Sequence, residues 1–326
     1  MKIGVLSSGI VSPHGIGSLG TALSPEMVST AEGAHTHPVA LVDRNAPELL
    51  KWSKEPRMRR ASPISYYMIE AAHQALSAIP SLDLSRVGIV ATFFLGCLMY
   101  SVKFYRQIYN EGRRFGSPVL FPETVFNSPV SHVVSVLGIG GPVYSQIGDK
   151  SSWVTGLRTA ESWLRNGSAD HVIVLGAEEF DPIALDAFYS AGLITKEMVT
   201  GDGAGAVLLG ASGGGDEVIF IDKIADGYGF ADKLGAVNAA TSCLNQFPGE
   251  TPILSTATSW TRTVEQKITE GRSLIPMDHL LCEAFTARTG WDTLLGIQLM
   301  RERKLDGIII PYWGLSQQIG AAQFTR

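Results

Sequence analysis

Short runs of strand-forming residues alternate with segments of helical periodicity along most of this chain. The helical spacing is clearest in residues 62–79 and 150–166, and a third helix is predicted over Leu280–Arg303. Such alternation is typical of an α/β fold, in which crossover helices cover a mostly parallel sheet. The predicted strands are Ile3–Ser7, Val87–Ala91, Val143–Ile147, His171–Leu175, Ala206–Leu209, Val218–Ile224, Ile253–Ser255 and Gly307–Pro311.

A glycine-rich stretch, residues 210–216 (GASGGGD), separates the pattern into two parts. The chain has 326 residues, more than the ~150 of a typical single domain. The second part repeats the strand and helix pattern of the first in a shorter form. We therefore expect two α/β halves, residues 1–212 and an abbreviated second half, residues 213–326.

Composition narrows the classes of partner. The formal net charge is −5, which disfavours a broad nucleic-acid-binding surface, and charged residues make up 17%, below the usual ~25%. A large buried interface is one reason to need few charges.

The three cysteines form no C-x-x-C pair, which suggests a reducing compartment. The uncharged residues 124–148 are interrupted by proline and glycine, so we expect a cytoplasmic protein without a membrane span.

Two glycine-rich stretches resemble nucleotide-binding motifs. Residues 15–20 (GIGSLG) match the G-x-G-x-x-G fingerprint, and Asp43 lies near the spacing of its ribose-binding acid. Pro13 and Pro25 leave little room for the helix that the fingerprint must open, so we expect a strand-to-loop turn. Residues 201–205 (GDGAG) lack the Lys-Ser/Thr of a P-loop, and we interpret them as a tight hairpin turn.

Metal and hydrolase signals are weak. His132, His171 and His279 are far apart, and the spacing of His279 and Glu283 is more typical of an ion pair than of a metal site. Residues 210–214 match the G-x-S-x-G pattern, but a strand follows where that elbow requires a helix. We expect no metal and no cofactor.

The most informative stretch is residues 141–179. It predicts a strand, a sharp turn at Gly148-Asp149-Lys150 and a helix with Ser151-Ser152 in its first turn. The positive end of a helix dipole would lower the pKa of a thiol at this turn and disfavours an ammonium. The residue at that position is Lys150.

This stretch resembles the nucleophile region of β-ketoacyl synthases, members of the thiolase-like superfamily, where G-P-x-x-x-x-x-x-A-C-S-S carries the acyl-accepting cysteine. Counting from Gly141-Pro142 places Lys150 on that cysteine. The resemblance implies a thiolase-like layered αβαβα fold built from two related α/β halves. Further segments resemble the family in the same order: Gly9–Gly15, Arg86–Ala91, Phe115–His132 and Gly201–Leu208.

The resemblance also locates the remaining catalytic positions. In the family a cysteine carries the acyl chain as a thioester, and two histidines stabilise the enolate oxygen formed on decarboxylation. The first histidine falls near Ala257 and the second on Ala284, with the mobile gate on residues 314–317 and the family's lysine on His279. With Lys150, Ala257 and Ala284 at the three positions, we expect no catalytic residue. Cys282, in a largely apolar predicted helix, is interpreted as a buried structural thiol.

A chain of this kind without its triad resembles the chain length factor of type II polyketide synthases. The resemblance implies a non-catalytic subunit that pairs with a ketosynthase in polyketide, aryl polyene or fatty-acid-like biosynthesis and meets acyl carrier protein transiently. Known factors often carry Gln where Lys150 stands, which leaves open whether Lys150 is inert, pairs with a carboxylate such as Asp149, or has another task. The alternatives are a homodimeric thiolase-fold enzyme that uses Lys150 as nucleophile or base, and an adaptor that docks the carrier protein.

The resemblance further implies which residues meet the partner. The predicted strand Val143, Tyr144, Ser145, Gln146 and Ile147 would pair across a twofold axis with its counterpart. Apolar residues in and before the segment 115–132 would pack the interface or line the acyl tunnel: Phe104, Tyr105, Ile108, Leu120, Phe121, Phe126 and Pro129.

Overall fold

The computed structural model describes residues 1–19, 23–211, 218–225, 227–277, 281–315 and 318–326. Its strands are β1 (Ile3–Ser12), β2 (Gly15–Ile16), β3 (Glu26–Ser29), β4 (Thr36–Ala40), β5 (Val87–Phe93), β6 (Val143–Ile147), β7 (His171–Glu178), β8 (Thr200–Gly201), β9 (Gly203–Ala211), β10 (Ile219–Ile224), β11 (Tyr228–Gly229), β12 (Ile253–Leu254), β13 (Leu274–Ile275), β14 (Gly307–Trp313) and β15 (Gln318–Thr325). Its α-helices are α1 (Pro47–Leu50), α2 (Pro63–Ser77), α3 (Leu98–Glu111), α4 (Ser128–Leu137), α5 (Ser152–Arg165), α6 (Pro182–Ser190), α7 (Lys233–Leu244), α8 (Thr261–Ile268) and α9 (Phe285–Arg303).

The main sheet shows that the two halves of the chain share one topology. Its strand order is β13-β12-β14-β15-β10-β1-β9-β7-β5-β6. From the outer edge inward, the order is β6, β5, β7, β9 and β1 in the first half, and β13, β12, β14, β15 and β10 in the second half. The pairings between the first three of these are parallel and the rest antiparallel in both halves. The first strands of the halves, β1 and β10, join in the middle.

The layers follow from the alternating faces of the strands. Along β7, Ile173 and Leu175 belong to the core that α2 covers, whereas Val172 and Val174 belong to the core that contains α5. Helices α5 and α9 contact strands of both halves, and α7 packs against β15 of the second half. This arrangement is the predicted helix–sheet–helix–sheet–helix layering with α5 and α9 as the central layer.

Two local expectations are tested by the strands. Residues 15–16 form β2, which pairs back on β1 as an antiparallel hairpin, so the strand-to-loop turn is confirmed in place of a dinucleotide fingerprint. The hairpin turn expected at residues 201–205 is wrong. These residues are extended, and at Asp202 the chain passes from β8, which pairs with β4, into β9 of the main sheet.

Asp202 explains this break in the strand. Its buried carboxylate accepts hydrogen bonds from the Val42 backbone N–H at 2.8 Å and from the Tyr67 hydroxyl at 2.8 Å. Arg44 adds an ion pair at 3.2 Å. A buried side chain with three partners fixes the point where the chain passes from one sheet to the other.

The boundary proposed between the halves, at residues 212–213, lies outside the described residues and stays a prediction. Within the described part of the chain, no helix combines the length and the apolar character needed to cross a membrane.

Candidate functional site

The turn between β6 and α5 holds Lys150, as predicted. Gly148 N–H donates to the Phe93 carbonyl at 2.8 Å, which ties the turn to the end of the neighbouring strand β5. The next residues form the turn, and α5 begins at Ser152. Lys150 is 2% exposed, so its amine must find partners inside the protein.

The Lys150 amine has two partners, both from the second half of the chain. Lys150 Nζ lies 2.7 Å from Glu283 Oε2 and 3.3 Å from Thr258 Oγ1. The Thr258 hydroxyl also donates to Glu283 Oε2 at 2.7 Å. Pairing with a carboxylate, one of the possibilities left open for Lys150, is therefore confirmed, but the partner is Glu283; the Asp149 carboxylate named as an example accepts from Ser151 N–H and Oγ.

Backbone pairing places Glu283 under the turn. The Glu283 N–H donates to the Val199 carbonyl at 2.8 Å, and the Gly201 N–H donates to the Glu283 carbonyl at 2.9 Å. Its second carboxylate oxygen accepts the N–H of Phe285, the first residue of α9. The segment before α9 is therefore extended, and the carboxylate is held at both ends.

A second buried carboxylate positions the loop that carries Thr258. Glu265 on α8 accepts hydrogen bonds from the backbone N–H groups of Thr256 at 3.2 Å and Ala257 at 3.3 Å. It also accepts from the Trp313 indole at 3.1 Å. Since burial raises the pKa of Glu265, these donors are what stabilise its charged form.

Two further charged groups lie beside the pair. Arg288 on α9 donates to the Leu281 carbonyl at 2.9 Å and faces Asp292 at 3.4 Å. Burial alone would raise the pKa of the Glu283 carboxyl, but the charges of Lys150 and Arg288 hold it below its usual range. Burial raises the pKa of Asp292 to about 6. Glu283 is thus the carboxylate of this cluster that the surrounding cations keep ionised.

The structure brings the three aligned positions together. Ala257 and Ala284 are buried, and each is the chain neighbour of a residue that bonds Lys150. Of the gate segment, Gly314 lies against the Asp149 carboxylate, which leaves no room for a Cβ there, and residues 316–317 lie outside the described part. The positions inferred from the resemblance therefore converge on one site.

Cys282 is a buried thiol, as expected, but its predicted location in a helix is wrong because α9 begins at Phe285. Burial raises the pKa of this thiol to about 12, so it is not a reactive thiolate at neutral pH.

A cavity of about 560 Å³ opens beside the cluster. Its walls include Thr258, Glu283 and Arg288, together with Met198 and Met277. The two groups that bond Lys150 therefore lie between its amine and this cavity.

The predicted tunnel and interface residues fall into two groups. Phe104 is buried on α3 and packs against the rings of Tyr105 and Phe121, with centroids 5.6 and 5.5 Å apart, while those two rings are largely exposed. Ile108 and Leu120 are half-buried. Phe126 packs elsewhere, against Gly96, and Pro129 is buried in the first turn of α4.

The segment that carries Gly96 is fixed by two consecutive buried acids at the end of β7. Glu178 accepts from the backbone N–H groups of Phe94 and Leu95, and Glu179 accepts from that of Met99 on α3. Burial raises the pKa of both carboxyls to about 7. These bonds set the position of the ring of Phe126.

Strand β6 lies at the outer edge of the main sheet, beyond β5. Val143, Tyr144 and Ile147 are 44%, 49% and 58% exposed, and Ser145 and Gln146 are half-buried. An edge strand with exposed apolar side chains is a ready site for pairing with another chain.

His132 Nε2 lies 3.0 Å from a carboxylate oxygen of Glu123, and His279 lies outside the described residues. Among the residues that the structure describes, no three His, Cys, Asp or Glu side chains cluster as metal ligands would.

Glu283, Thr258, Arg288 and Asp292 were missed as site residues. Thr258 and Glu283 could have been identified from the sequence, because they are direct neighbours of the aligned positions Ala257 and Ala284. A lysine predicted at a buried turn also requires a buried carboxylate.

Comparison with known proteins agrees with this architecture. The model of the family 3-oxoacyl-[acyl-carrier-protein] synthase III matches residues 136–227. The β-ketoacyl-[acyl-carrier-protein] synthase III of Rhizorhabdus wittichii is 38% identical over 108 residues, 32% of this chain and 32% of that protein. The synthase III of Thiobacillus denitrificans is 38% identical over 93 residues, 28% of each chain. These matches therefore span about a third of the curated relatives.

Solved structures match over the full length. The ishigamide ketosynthase/chain length factor superimposes with a TM-score of 0.83 at 15% identity, covering 100% of this chain and 99% of that one. The complex of the ketosynthase ApeO with its chain length factor ApeC, from Xenorhabdus doucetiae, gives 0.79 at 13% identity, covering 99% and 98%. These likenesses show that the chain has the thiolase-like fold of these ketosynthase and chain length factor structures.

Proposed function

We propose that this chain is a non-catalytic, chain-length-factor-like subunit that pairs with a ketosynthase and shapes its acyl tunnel. Its pathway would be type II polyketide, aryl polyene or fatty-acid-like biosynthesis. It would bind acyl carrier protein transiently and function in the cytoplasm as part of an acyltransferase complex, without a cofactor.

The observation that carries the proposal is the buried ion pair at the nucleophile turn. Decarboxylative condensation requires an acyl-accepting thiol and donors for the enolate oxygen. Here Lys150 occupies the position of the thiol, and the side chains of Ala257 and Ala284 have no group that could donate. Glu283 and Thr258 are the two hydrogen-bond partners that the structure describes for the Lys150 amine.

The comparisons support a subunit of this class. Two of the similar structures are ketosynthases together with chain length factors, and another is an acyl carrier protein in complex with its ketosynthase. The relatives named as synthase III instead favour the enzyme alternative. Against it, a carboxylate 2.7 Å from the Lys150 amine stabilises the ammonium, which has no lone pair with which to attack a substrate.

The first expected result is that the purified chain does not condense malonyl- with acyl-loaded carrier protein. The measurement is mass spectrometry of the carrier protein after incubation, with an active ketosynthase as positive control. Lys150→Cys should not restore condensation, because positions 257 and 284 remain without imidazoles. Steady β-ketoacyl product that disappears in Lys150→Ala would establish the enzyme alternative instead. Carrier protein retained by the chain in the absence of any synthase would support the adaptor.

The second expected result concerns product length in a co-expressed complex. Leu120 is half-buried beside the exposed ring of Phe121, so its side chain can change size with little loss of packing. Leu120→Ala should lengthen the product and Leu120→Trp should shorten it, as read by mass spectrometry. Phe126→Ala should also lengthen the product, but it is a harsher test, because the half-buried ring packs against Gly96 and a Phe→Ala change at a fully packed site costs about 3–5 kcal/mol.

The control for that measurement is Leu234→Ala on α7, an exposed leucine in the other half of the chain, which should leave the product unchanged. A product distribution that is insensitive to both Leu120 variants in an intact complex would show that this segment does not control length.

A further inference from the structure

A second cavity, of about 610 Å³, lies between the 3₁₀ turn 56–60, α3 and the segment 117–123. It shares no lining residue with the cavity beside the Lys150 cluster. Four of its lining side chains are cations: Arg59, Arg60, Lys103 and Arg106. Gln107, Asn110 and Ser117 add amide and hydroxyl groups. The volume lies in the ~300–1,000 Å³ range of small-molecule sites.

The charges around this cavity are not balanced. Within the described part of the chain, none of the four cations forms an ion pair with a carboxylate. Two acids, Glu111 and Glu123, line the cavity. The Glu123 carboxylate accepts a hydrogen bond from Ser128 and lies 3.0 Å from His132 Nε2. Like charges around one concave surface repel each other and attract an anion.

An apolar cavity of about 260 Å³ adjoins the cationic one, and Tyr100 lines both. Its other walls include Leu49, Leu50, Tyr66 and Tyr67. Arg44 also lies there, but its guanidinium is engaged by the Tyr67 hydroxyl at 2.9 Å and by Asp202. The second cavity therefore offers mainly aromatic and aliphatic surface.

We propose that these two adjoining cavities form one binding cleft for an organic phosphate, with the phosphate among the four cations and an apolar group against the tyrosines. Cations with fork-shaped donors suit a phosphate, and three tyrosine rings suit an alkyl or aryl chain. The cleft borders the segment proposed above to face the partner, since Leu120 lines it, but hexyl phosphate binding is measured apart from condensation and product length, so the two proposals can fail separately.

The test is isothermal titration of the purified full-length chain, or of its co-purified complex, with hexyl phosphate. Inorganic phosphate and hexanol are the two half-ligands. Hexyl phosphate should bind more tightly than either, and its affinity should fall with added salt because the cations are exposed. The double variant Arg59→Gln/Arg106→Gln should weaken it at least about tenfold, since each arginine that is lost removes charge-assisted hydrogen bonds to the phosphate.

Two further variants separate the parts of the cleft. Leu50 is 46% exposed, so Leu50→Asp should fold normally, weaken hexyl phosphate and leave inorganic phosphate unaffected. Arg303→Gln, an exposed charge change at the end of α9, is the matched control and should change neither. Hexyl phosphate binding no tighter than inorganic phosphate, or equally tight in the double variant, would overturn the proposal.

Discussion

Lys150→Met should lower the free energy of unfolding by about 3–5 kcal/mol, the cost of leaving one charge of a buried pair uncompensated. Lys150 and Glu283 side chains are 2% and 1% exposed, so water cannot take the place of the missing partner. The measurement is urea denaturation at one protein concentration, with every variant in the same assembly state.

A double variant distinguishes the charge from the packing. Lys150→Met/Glu283→Gln removes both charges and keeps an amide whose oxygen can accept from Phe285 N–H while its NH2 donates to Thr258 Oγ1. It should be more stable than Lys150→Met alone, because no unpaired charge remains. The matched control is Arg165→Met, which breaks an exposed pair with Glu161 on α5 and should cost no more than about 1 kcal/mol.

The pair also predicts a pH dependence. The folded protein holds the pKa of Glu283 below its ordinary value of 4.5, so the folded state releases this proton more readily than the unfolded chain does. The resulting stability is present above about pH 4.5 and is lost as the pH falls through the folded-state pKa. In Lys150→Met/Glu283→Gln this part of the acid dependence should be absent. Equal stability of Lys150→Met and the wild type at pH 7 would contradict the assignment of a buried ion pair.

The fold was largely predictable because its determinants are local. The alternation of strand and helix patterns predicted most strands of the main sheet, and the run Trp153, Leu157, Ala160, Leu164 predicted the buried face of α5. The alternation missed β15 and the sheet of β3, β4 and β8, and the expectation of a mostly parallel sheet is wrong, because most pairings of the main sheet are antiparallel. The turn at Lys150 was also readable, since a strand, a glycine and a helix start follow each other directly.

The partner of Lys150 was not predictable in this way. Glu283 is 133 positions away in sequence, and the two meet only because α5 and α9 form one central layer. The apolar run after residue 280 favoured a continuous helix, whereas the backbone pairing of Glu283 with Val199 and Gly201 keeps that segment extended. Asp202 shows the same limit: its partners Val42 and Tyr67 lie far away in sequence, so the glycines around it suggested a hairpin.

The two ends of the main sheet differ in a way that makes one of them the natural place for a partner. At one end β13 has two residues, of which Ile275 is buried and Leu274 half-buried. At the other end β6 has five residues, with three apolar side chains between 44% and 58% exposed. A longer, apolar open edge exposes both unpaired backbone groups and hydrophobic surface to water.

Co-expression with a partner ketosynthase should therefore yield a one-to-one complex, whereas the chain expressed alone should be poorly soluble. Within the complex, Ile147→Asp should weaken association by at least about 30-fold, since a central interface residue contributes ~2 kcal/mol or more and an unpaired carboxylate is costly to bury. Affinity-tag co-purification and sedimentation velocity measure the effect.

Leu234→Asp, on α7 and 70% exposed, introduces the same charge away from β6 and should leave the complex intact. Because obligate interfaces bury ~2,000 Å² or more, a single acidic residue elsewhere on the surface cannot mimic the loss. A soluble monomer at micromolar concentration would show that the edge strand β6 does not need to pair with another chain. A stable homodimer that Ile147→Asp disrupts would instead mean that β6 pairs with a second copy of this chain, as the enzyme alternative requires.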